Sequence, residues 1–269
     1  MLKEAKYEDI ICGQGMAGIF GIPGLKISVH LYLVDGLLID TGPASLLKCT
    51  SEFVKKHSVS QVALTHIHED HAGMAPWIKE NFQVPVYLHE ESIAEAAVGT
   101  KLPFYRRIAW GNRKPFRAEV IPDVLKTEKY TFDIIDSPGH HPFHCVLHEK
   151  NQGWLFSGDL YVRQKQHVSY LDENTADVIS TLQNILKLDF DTLFCGHAGI
   201  QEDGKTKLRI KLDHFESIQE RVLELYQAGH SIKEISRMLY PKKDLWTIIS
   251  RGEWSSYNLI RTAIPNVLS

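Results

Sequence analysis

The chain has 269 residues, of which 43% are hydrophobic and 23% charged, with a formal net charge of −3. That balance excludes a disordered chain, and the length gives one large domain, or one domain with an appendage, an ample core. No apolar run approaches membrane-spanning length, Met1-Leu2-Lys3-Glu4-Ala5-Lys6 lacks the apolar core of an export signal, and Cys12, Cys49, Cys145 and Cys195 form no CxxC pair, so a cytoplasmic protein with reduced thiols is expected.

In chain order, residues 7–12 and 26–34 read as strands, and Asp35-Gly36 as a two-residue hairpin turn before a strand over 37–40. A glycine-rich loop over residues 12–21 is expected between the first two. Because a strand and not a helix follows, its spacing is no phosphate-binding fingerprint. Asp40-Thr41-Gly42-Pro43 ends the hairpin and opens a helix, with Pro43 at a favoured first-turn position. The apolar run Val62-Ala63-Leu64 then leads into Thr65-His66-Ile67-His68-Glu69-Asp70-His71-Ala72-Gly73. Strand alternation puts His66 and His68 on one side, while Asp70 and His71 fall on the turn beyond. Imidazole and carboxylate in this pattern suit a borderline divalent metal, Zn²⁺ first and Fe²⁺ or Mn²⁺ almost as well. Clustering these histidines without a metal would gain the fold nothing.

A helix is expected over 73–82 and a strand over 84–89, with His89 structural. Residues 99–119 carry Lys101, Arg106, Arg107, Arg113, Lys114 and Arg117 interleaved with Phe104, Tyr105, Trp110 and Phe116. Two readings stand side by side: a surface for an anionic substrate, or a solvated basic face over a small apolar patch. A strand over 130–136 runs into Ser137-Pro138-Gly139-His140, where proline and glycine force a turn that aims His140 inward. Strands over 145–149 and 154–157 form a hairpin around Asn151-Gln152-Gly153 and deliver Asp159. Apolar spacing predicts a helix over 172–188, and a strand over 191–197 ends in Cys195-Gly196-His197, with Cys195 in the core. From residue 206 the period becomes helical. Leu208, Leu212, Phe215, Ile218, Val222 and Tyr226 form a stripe stopped at Gly229, Ser231-x-x-Glu234 is a capping box for a helix through 239, and another helix is expected over 254–264. From Lys205 onward eleven Lys/Arg face seven Asp/Glu, which leaves that segment at +4 and the rest at −7. A +4 tail is too weakly basic to argue for nucleic acid.

These motifs resemble those of the metallo-β-lactamase superfamily. His66-x-His68-x-Asp70-His71 is similar to its HxHxDH signature, Ser137-Pro138-Gly139-His140 to its (T/S)PGH turn, Ser157-Gly158-Asp159 to its GD strand end, and Cys195-Gly196-His197 to its final GH. Four motifs in the right order, across about residues 8–200, carry the resemblance. It implies an α/β fold, a four-layer αββα metallo-β-lactamase sandwich over residues 1–204, followed by a small helical C-terminal extension, 205–269. It also implies two divalent metal ions: His66, His68 and His140 hold the first, Asp70, His71 and His197 the second, and Asp159 bridges them. Asp40 would stand behind the metal and hold a ligand histidine by a hydrogen bond; the alternative is a helix-capping aspartate. His30 either lines the pocket or is merely packed, and the glycine-rich loop either borders the site mouth or is a plain hairpin loop. In the family an insertion like 99–119 often caps the site and decides substrate. The sequence departs from the family after His140. Where PGHTxGH is common, His141-Pro142-Phe143-His144 follows; His144 matches a histidine that supports the site, Phe143 replaces a small glycine, and His141 is extra and no ligand.

The chemistry implied is hydrolysis. Two cations about 3.5–4 Å apart can share a water whose pKa falls to about 7, which would supply hydroxide at neutral pH, and the metals would also polarise the substrate's carbonyl or phosphoryl oxygen. Asp70 is expected to orient that hydroxide and pass its proton to the leaving group. Tyr161 is a candidate oxyanion donor, although its offset does not match the tyrosine of the related lactonases. True zinc β-lactamases carry a cysteine ligand and an export signal, so antibiotic hydrolysis is not expected here. The aspartate bridge matches the glyoxalase II, lactonase and nuclease branches instead. The leading expectation is a dinuclear hydrolase of the glyoxalase II-like group, acting on a small-molecule ester, thioester or lactone. The alternative is a metal-dependent phosphodiesterase or endoribonuclease on single-stranded RNA. The basic-aromatic segment speaks for it, as does a helical tail resembling the small C-terminal domain of lactamase-like hydrolases; the acidic main domain speaks against it. An iron-dependent oxidoreductase is a third reading, disfavoured by the full ligand set and the lack of a flavodoxin-like segment. The helices otherwise cover the sandwich or make a homodimer contact.

Overall fold

A computed structural model describes residues 1–18, 26–242 and 245–264. Contacts group the chain into two units: Met1–Asp136, Cys145–Val162 and Phe190–Glu202 form one, and Ser137–His144, Arg163–Asp189 and the chain from Asp203 onward form the other.

The first unit holds two sheets. One contains, in sheet and chain order, β1 (Lys3–Tyr7), β2 (Ile10–Gly18), β3 (Lys26–Val34), β4 (Leu37–Ile39), β5 (Gln61–Ala63), β6 (Val86–Leu88) and β7 (Glu119–Val120). Strands β1 to β4 pair antiparallel, whereas β4 through β7 pair parallel, because helices intervene between them. Those helices are α1 (Leu47–Lys56), α2 (Glu69–Ala72), α3 (Ala75–Phe82), α4 (Ile93–Ala96) and α5 (Phe104–Trp110). The other sheet contains β8 (Val124–Lys126), β9 (Thr131–Asp136), β10 (Cys145–Glu149), β11 (Trp154–Gly158), β12 (Thr192–Cys195) and β13 (Gly199–Gln201), in the order β13-β12-β11-β10-β9-β8.

Alternation along β3 explains its nearly continuous apolar sequence. Leu31 and Leu33 pack with Phe53 and Val54 of α1 and Ile78 of α3, while Tyr32 and Val34 face Phe132, Trp154, Phe156 and Phe194 of the other sheet. A strand covered on both faces needs apolar residues at both parities, and a one-residue slip would exchange the two cores. Phe156 stacks on Phe194 at 4.6 Å, and Tyr32 meets both edge-on at 5.7 and 5.4 Å. The Tyr32 hydroxyl donates to Cys195 O at 2.7 Å, so this aromatic cluster anchors the strand end that carries the Cys195-Gly196-His197 motif.

The second unit contains α6 (Thr175–Ile185), α7 (Gly204–Gln227), α8 (Ile232–Leu239), α9 (Leu245–Ile249) and α10 (Ser256–Arg261). Asn174 caps α6 by accepting from Ala176 N and Asp177 N, and the Ser231/Glu234 capping box opens α8 as its spacing predicts. On α7 the buried stripe is Leu208, Leu212, Phe215, Ile218, Val222 and Leu225. Tyr226 is 43% exposed, because the last step of the stripe is three residues and not four. No helix among the described residues is long and apolar enough to cross a membrane.

Several local readings change. The expected strand over 7–12 is the junction of β1 and β2, since Tyr7 pairs with Ile10 across Glu8-Asp9 and Glu8 adopts φ 50°. That turn has neither glycine nor asparagine, so it carried no signal. Residues 10–18 form a strand instead of a loop; the rest of the glycine-rich stretch, residues 19–21, lies outside the described residues. Its glycines admit neighbours: a Cβ on Gly15 would lie 2.5 Å from Leu46 Cδ1. The strand over 191–197 ends at Cys195, and three-residue β13 follows it.

Candidate metal centre

The centre is built where β4 and β5 end side by side. Asp40, just past β4, bends the chain with φ 56° and directs its carboxylate across to Thr65 and His71. Oδ1 accepts from Thr65 N at 2.9 Å, and Oδ2 accepts from Thr65 Oγ1 at 2.9 Å and from His71 Nδ1 at 2.8 Å. Thr41 fixes the other side of the same residue, its N and Oγ1 both donating to His71 O at 2.7 Å. The close approach of this loop to α2 demands Gly73, whose Cβ would lie 2.4 Å from Glu69 O and 2.6 Å from Ala44 N.

These contacts set the protonation of each ring. A carboxylate only accepts, so His71 carries its proton on Nδ1 and presents an Nε2 lone pair. The Thr65 hydroxyl gives its hydrogen to Asp40, so its oxygen accepts from His66 Nδ1 at 3.0 Å, again freeing Nε2 as a lone pair. His197 Nδ1 donates to Ser28 O at 2.8 Å, with the same result. His71 Nε2 lies 3.2 Å from Asp159 Oδ1, and His197 Nε2 lies 3.1 Å from Asp159 Oδ2 and 3.3 Å from Asp70 Oδ2. One ligand atom from each of Asp70, His71, Asp159 and His197 falls within 4.8 Å of all the others. His71 Nε2 is buried and makes no hydrogen bond. Gly196 makes the convergence possible, as its Cβ would lie 2.6 Å from His71 Cε1 and 3.0 Å from Asp159 Oδ1.

Lone pairs and carboxylates buried face to face require positive charge. Burial works against a proton on His71, yet Asp159 and Asp40 outweigh it and hold its pKa well above the usual histidine value. His197 behaves alike: burial lowers it, and Asp159 with Asp70 more than reverses this. Burial raises the Asp70 carboxyl, but the hydrogen bond from His197 and the charges of His71 and His197 pull it below the usual range. The field that would hold protons here is the field a divalent cation satisfies, through imidazole nitrogens and carboxylate oxygens of the type zinc accepts. The donor set therefore fits a metal.

The remaining sequence-selected residues fall as follows. His68 is half-buried, its Nδ1 3.1 Å from His66 Nε2. His140 belongs to the second unit, where it is buried with Nδ1 2.7 Å from Glu173 Oε1. His144 there meets Ser137 Oγ at 2.7 Å, and His141 Nδ1 accepts from Phe143 N. Tyr161 is buried two residues past Asp159, and burial raises its phenol pKa. His30 is packed: its Nε2 meets Ser28 Oγ at 2.9 Å and its Nδ1 meets Cys12 Sγ at 3.4 Å, and burial lowers its pKa to about 4. His89 caps a turn, accepting from Glu91 N, and Cys195 Sγ accepts from His197 N.

Some neighbours reach the centre from afar: sequence reasoning missed Ser28, and it named Arg106 and Trp110 only as members of the basic-aromatic segment. Ser28 acts through a main-chain carbonyl, which has no residue signature. Arg106 of α5 pairs with Glu69 at 2.5 Å beside Asp70, and Trp110 sits 6.5 Å from the His197 ring. Arg113 is fully buried and donates to Ala96 O and Glu95 O, so the basic segment is partly an internal brace.

A protein from Drosophila melanogaster named beta-lactamase-like protein 2 homolog is 23% identical over 71% of this chain and 64% of its own length. A hydroxyacylglutathione hydrolase of Hamiltonella defensa is 28% identical over 65% of this chain and 64% of its own length. The chain thus spans just under two thirds of each of these relatives. Among solved structures, a metallo-beta-lactamase family protein from Thermus thermophilus superposes with a TM-score of 0.66 at 19% identity, covering 93% of this chain and 90% of its own. A beta-lactamase domain protein from Burkholderia ambifaria gives 0.69 at 18% identity, covering 97% and 86%. At such identity these neighbours speak for the fold, two sheets with flanking helices. The profile of the family described as the metallo-beta-lactamase superfamily matches residues 27–197, the stretch that carries the centre, and the chain belongs to that superfamily.

Proposed function

We propose that the protein is a dinuclear metallohydrolase that cleaves a small ester, thioester or lactone. The observation that carries this reading is the buried convergence of Asp70, His71, Asp159 and His197, with two of the histidines held in the metal-binding tautomer by acceptors behind them. In the proposed assignment His66, His68 and His140 would hold one metal, Asp70, His71 and His197 would hold the other, and Asp159 would be shared by both. His140 enters on its sequence motif. Zinc suits these donors, with iron(II) or manganese(II) as alternatives. When bound, the metals would supply a water of lowered pKa and a Lewis acid for the scissile carbonyl.

The chain's own residues do the rest. Asp40 keeps the His71 proton on Nδ1, so that Nε2 stays a donor to metal. Asp70 would orient the attacking water and pass its proton to the leaving group. Tyr161 is the proposed donor to the oxyanion. The hydroxyacylglutathione hydrolases among the relatives support a thioester-like substrate. Burial of Arg113 and pairing of Arg106 with Glu69 reduce the cationic surface on which an RNA-cleaving reading would rest. Residues 1–204 would form the catalytic part and 205–269 a helical addition, in a cytoplasmic protein whose four cysteines are free thiols.

The test is hydrolysis by protein loaded with Zn²⁺, Mn²⁺ or Fe²⁺, with Asp159→Ala as control. A glutathione thioester, an acyl lactone, an aryl ester, an aryl phosphodiester and a single-stranded RNA form the panel. Metal-dependent turnover of at least one of the first three, lost in the variant, is expected. Cleavage of phosphodiester or RNA alone would overturn the proposal in favour of a nuclease.

A further inference from the structure

The segment before α6 forms a clamp around one carboxylate. Glu173 immediately precedes the N-cap Asn174 and is only 5% exposed. Its Oε1 lies 2.7 Å from His140 Nδ1, and its Oε2 accepts from Gln166 Nε2 at 2.7 Å. The neighbouring backbone is fixed to the turn that carries His140: Asn174 N donates to Gly139 O at 2.7 Å, and Thr181 Oγ1 donates to Pro138 O at 2.6 Å. Gly139 lies against Val178 so closely that a Cβ there would come within 2.6 Å of the valine side chain.

The C-terminal helices hold the rest of this segment. His214 of α7 donates from Nε2 to Gln166 O at 2.8 Å. Ser169 and Ser255 exchange main-chain hydrogen bonds at 3.1 and 3.0 Å, and Asn258 of α10 donates to Ser169 O. Thr175 N donates to Thr262 Oγ1 at 3.0 Å, while Thr175 Oγ1 donates to Leu259 O at 2.8 Å. Residues 166–175 are thus tied to the chain beyond residue 204 in front of Glu173 and behind it.

We propose that Glu173 is a positioning residue for His140, and that α7 and α10 hold it there through Gln166 and Thr175. The proposal rests on the assignment of His140 as a metal ligand. A carboxylate accepting from Nδ1 keeps the proton off Nε2, orients the ring and raises its basicity toward a metal. The helical extension then has a definite role, since it secures on both sides the segment that carries Glu173.

The test uses the full chain, with zinc affinity measured by chelator competition and the visible spectrum of the cobalt(II) form recorded beside it. Glu173→Gln keeps a hydrogen-bond acceptor but loses the charge; about 10–100-fold weaker zinc binding and an altered cobalt spectrum are expected. His214→Ala shifts both readouts in the same direction, and His214→Gln, which can still donate to the Gln166 carbonyl, restores them. His140→Ala is the reference and loses one metal. A purely structural role would lower thermal stability and leave affinity and spectrum at wild-type values. If Glu173→Gln and His214→Ala both bind zinc as the wild type does while His140→Ala loses a metal, the positioning proposal is overturned and the ligand assignment stands. If His140→Ala keeps both metals, the underlying ligand assignment fails and this proposal falls with it. Failure of His214→Gln to restore affinity would remove α7 from the scheme.

Discussion

Asp40→Asn exchanges one oxygen for an amide nitrogen in a pocket where Asp40 is 3% exposed. The amide oxygen must face Thr65 N, a donor, so the NH₂ group takes the place of Oδ2 and confronts His71 Nδ1–H. Donor against donor is relieved when His71 moves its proton to Nε2, which then points at Asp159 Oδ1, 3.2 Å away. In the metal-free protein that Nε2 proton keeps Asp159 as its partner. Metal binding must now expel that proton and use a ring without a carboxylate behind it. Loss of a charge-assisted hydrogen bond is worth about 1.5–3 kcal/mol. Loss of an outer partner to a ligand histidine lowers metal affinity about 10–100-fold, which is about 1.4–2.8 kcal/mol at 1.4 per decade. The two routes agree. Under the proposed assignment, chelator competition should show one of the two zinc ions weakened by that factor. Wild-type affinity for both ions in Asp40→Asn would refute the argument that Asp40 sets the tautomer of His71.

Other substitutions probe different joints of the structure. Gly196→Ala drives a methyl against His71 and Asp159, and metal analysis should give about one equivalent fewer zinc per chain with far-UV circular dichroism unchanged. Arg106→Gln leaves the buried Glu69 without its cation, a loss of about 3–5 kcal/mol near neutral pH. Burial already raises the Glu69 pKa above 4.5 and Arg106 opposes it, so removing Arg106 raises it further. A protonated Glu69 needs no partner; the penalty is therefore greatest above the raised folded pKa and fades as pH falls toward 4.5. Urea melts at pH 8 and pH 5 should show the gap from wild type shrinking, and a pH-independent gap would contradict this. Tyr161→Phe should lower kcat about 100-fold on the substrate found, with zinc content unchanged, if the phenol stabilises an oxyanion; unchanged kcat removes it from the mechanism.

Local chemistry in the chain announced much of this molecule. The strand Lys26–Val34, the Asp35-Gly36 turn, the capping box at Ser231 and the helix over α7 follow from short-range patterns, and the structure forms all of them. The Glu8-Asp9 turn, β13 and the strand character of the Gly13-to-Gly18 stretch escaped, since each depends on partners and not on local propensity. Gly15 pairs with Val29 in the sheet, and Leu46, thirty-one positions later, occupies the space that a side chain there would need.

The same division runs through the metal centre. Histidine and aspartate at the spacing His66-x-His68-x-Asp70-His71 point to metal chemistry by residue type, and the family resemblance of Asp40-Thr41-Gly42 anticipated a hydrogen bond between Asp40 and a histidine, which the structure forms with His71. What the sequence left open is which neighbours set each ring's protonation. Ser28 does so through a carbonyl oxygen, which every residue owns. Arg106 was readable as a surface cation until burial beside Glu69 made it an internal partner, and Arg113 until its guanidinium met the carbonyls of residues 95 and 96. Glu173 stood unmarked in the sequence, 33 residues beyond His140, until the fold of its unit brought the carboxylate to the imidazole. Residue type is carried by the chain, but hydrogen-bond partnership and the dielectric around a charge arise only when distant segments pack.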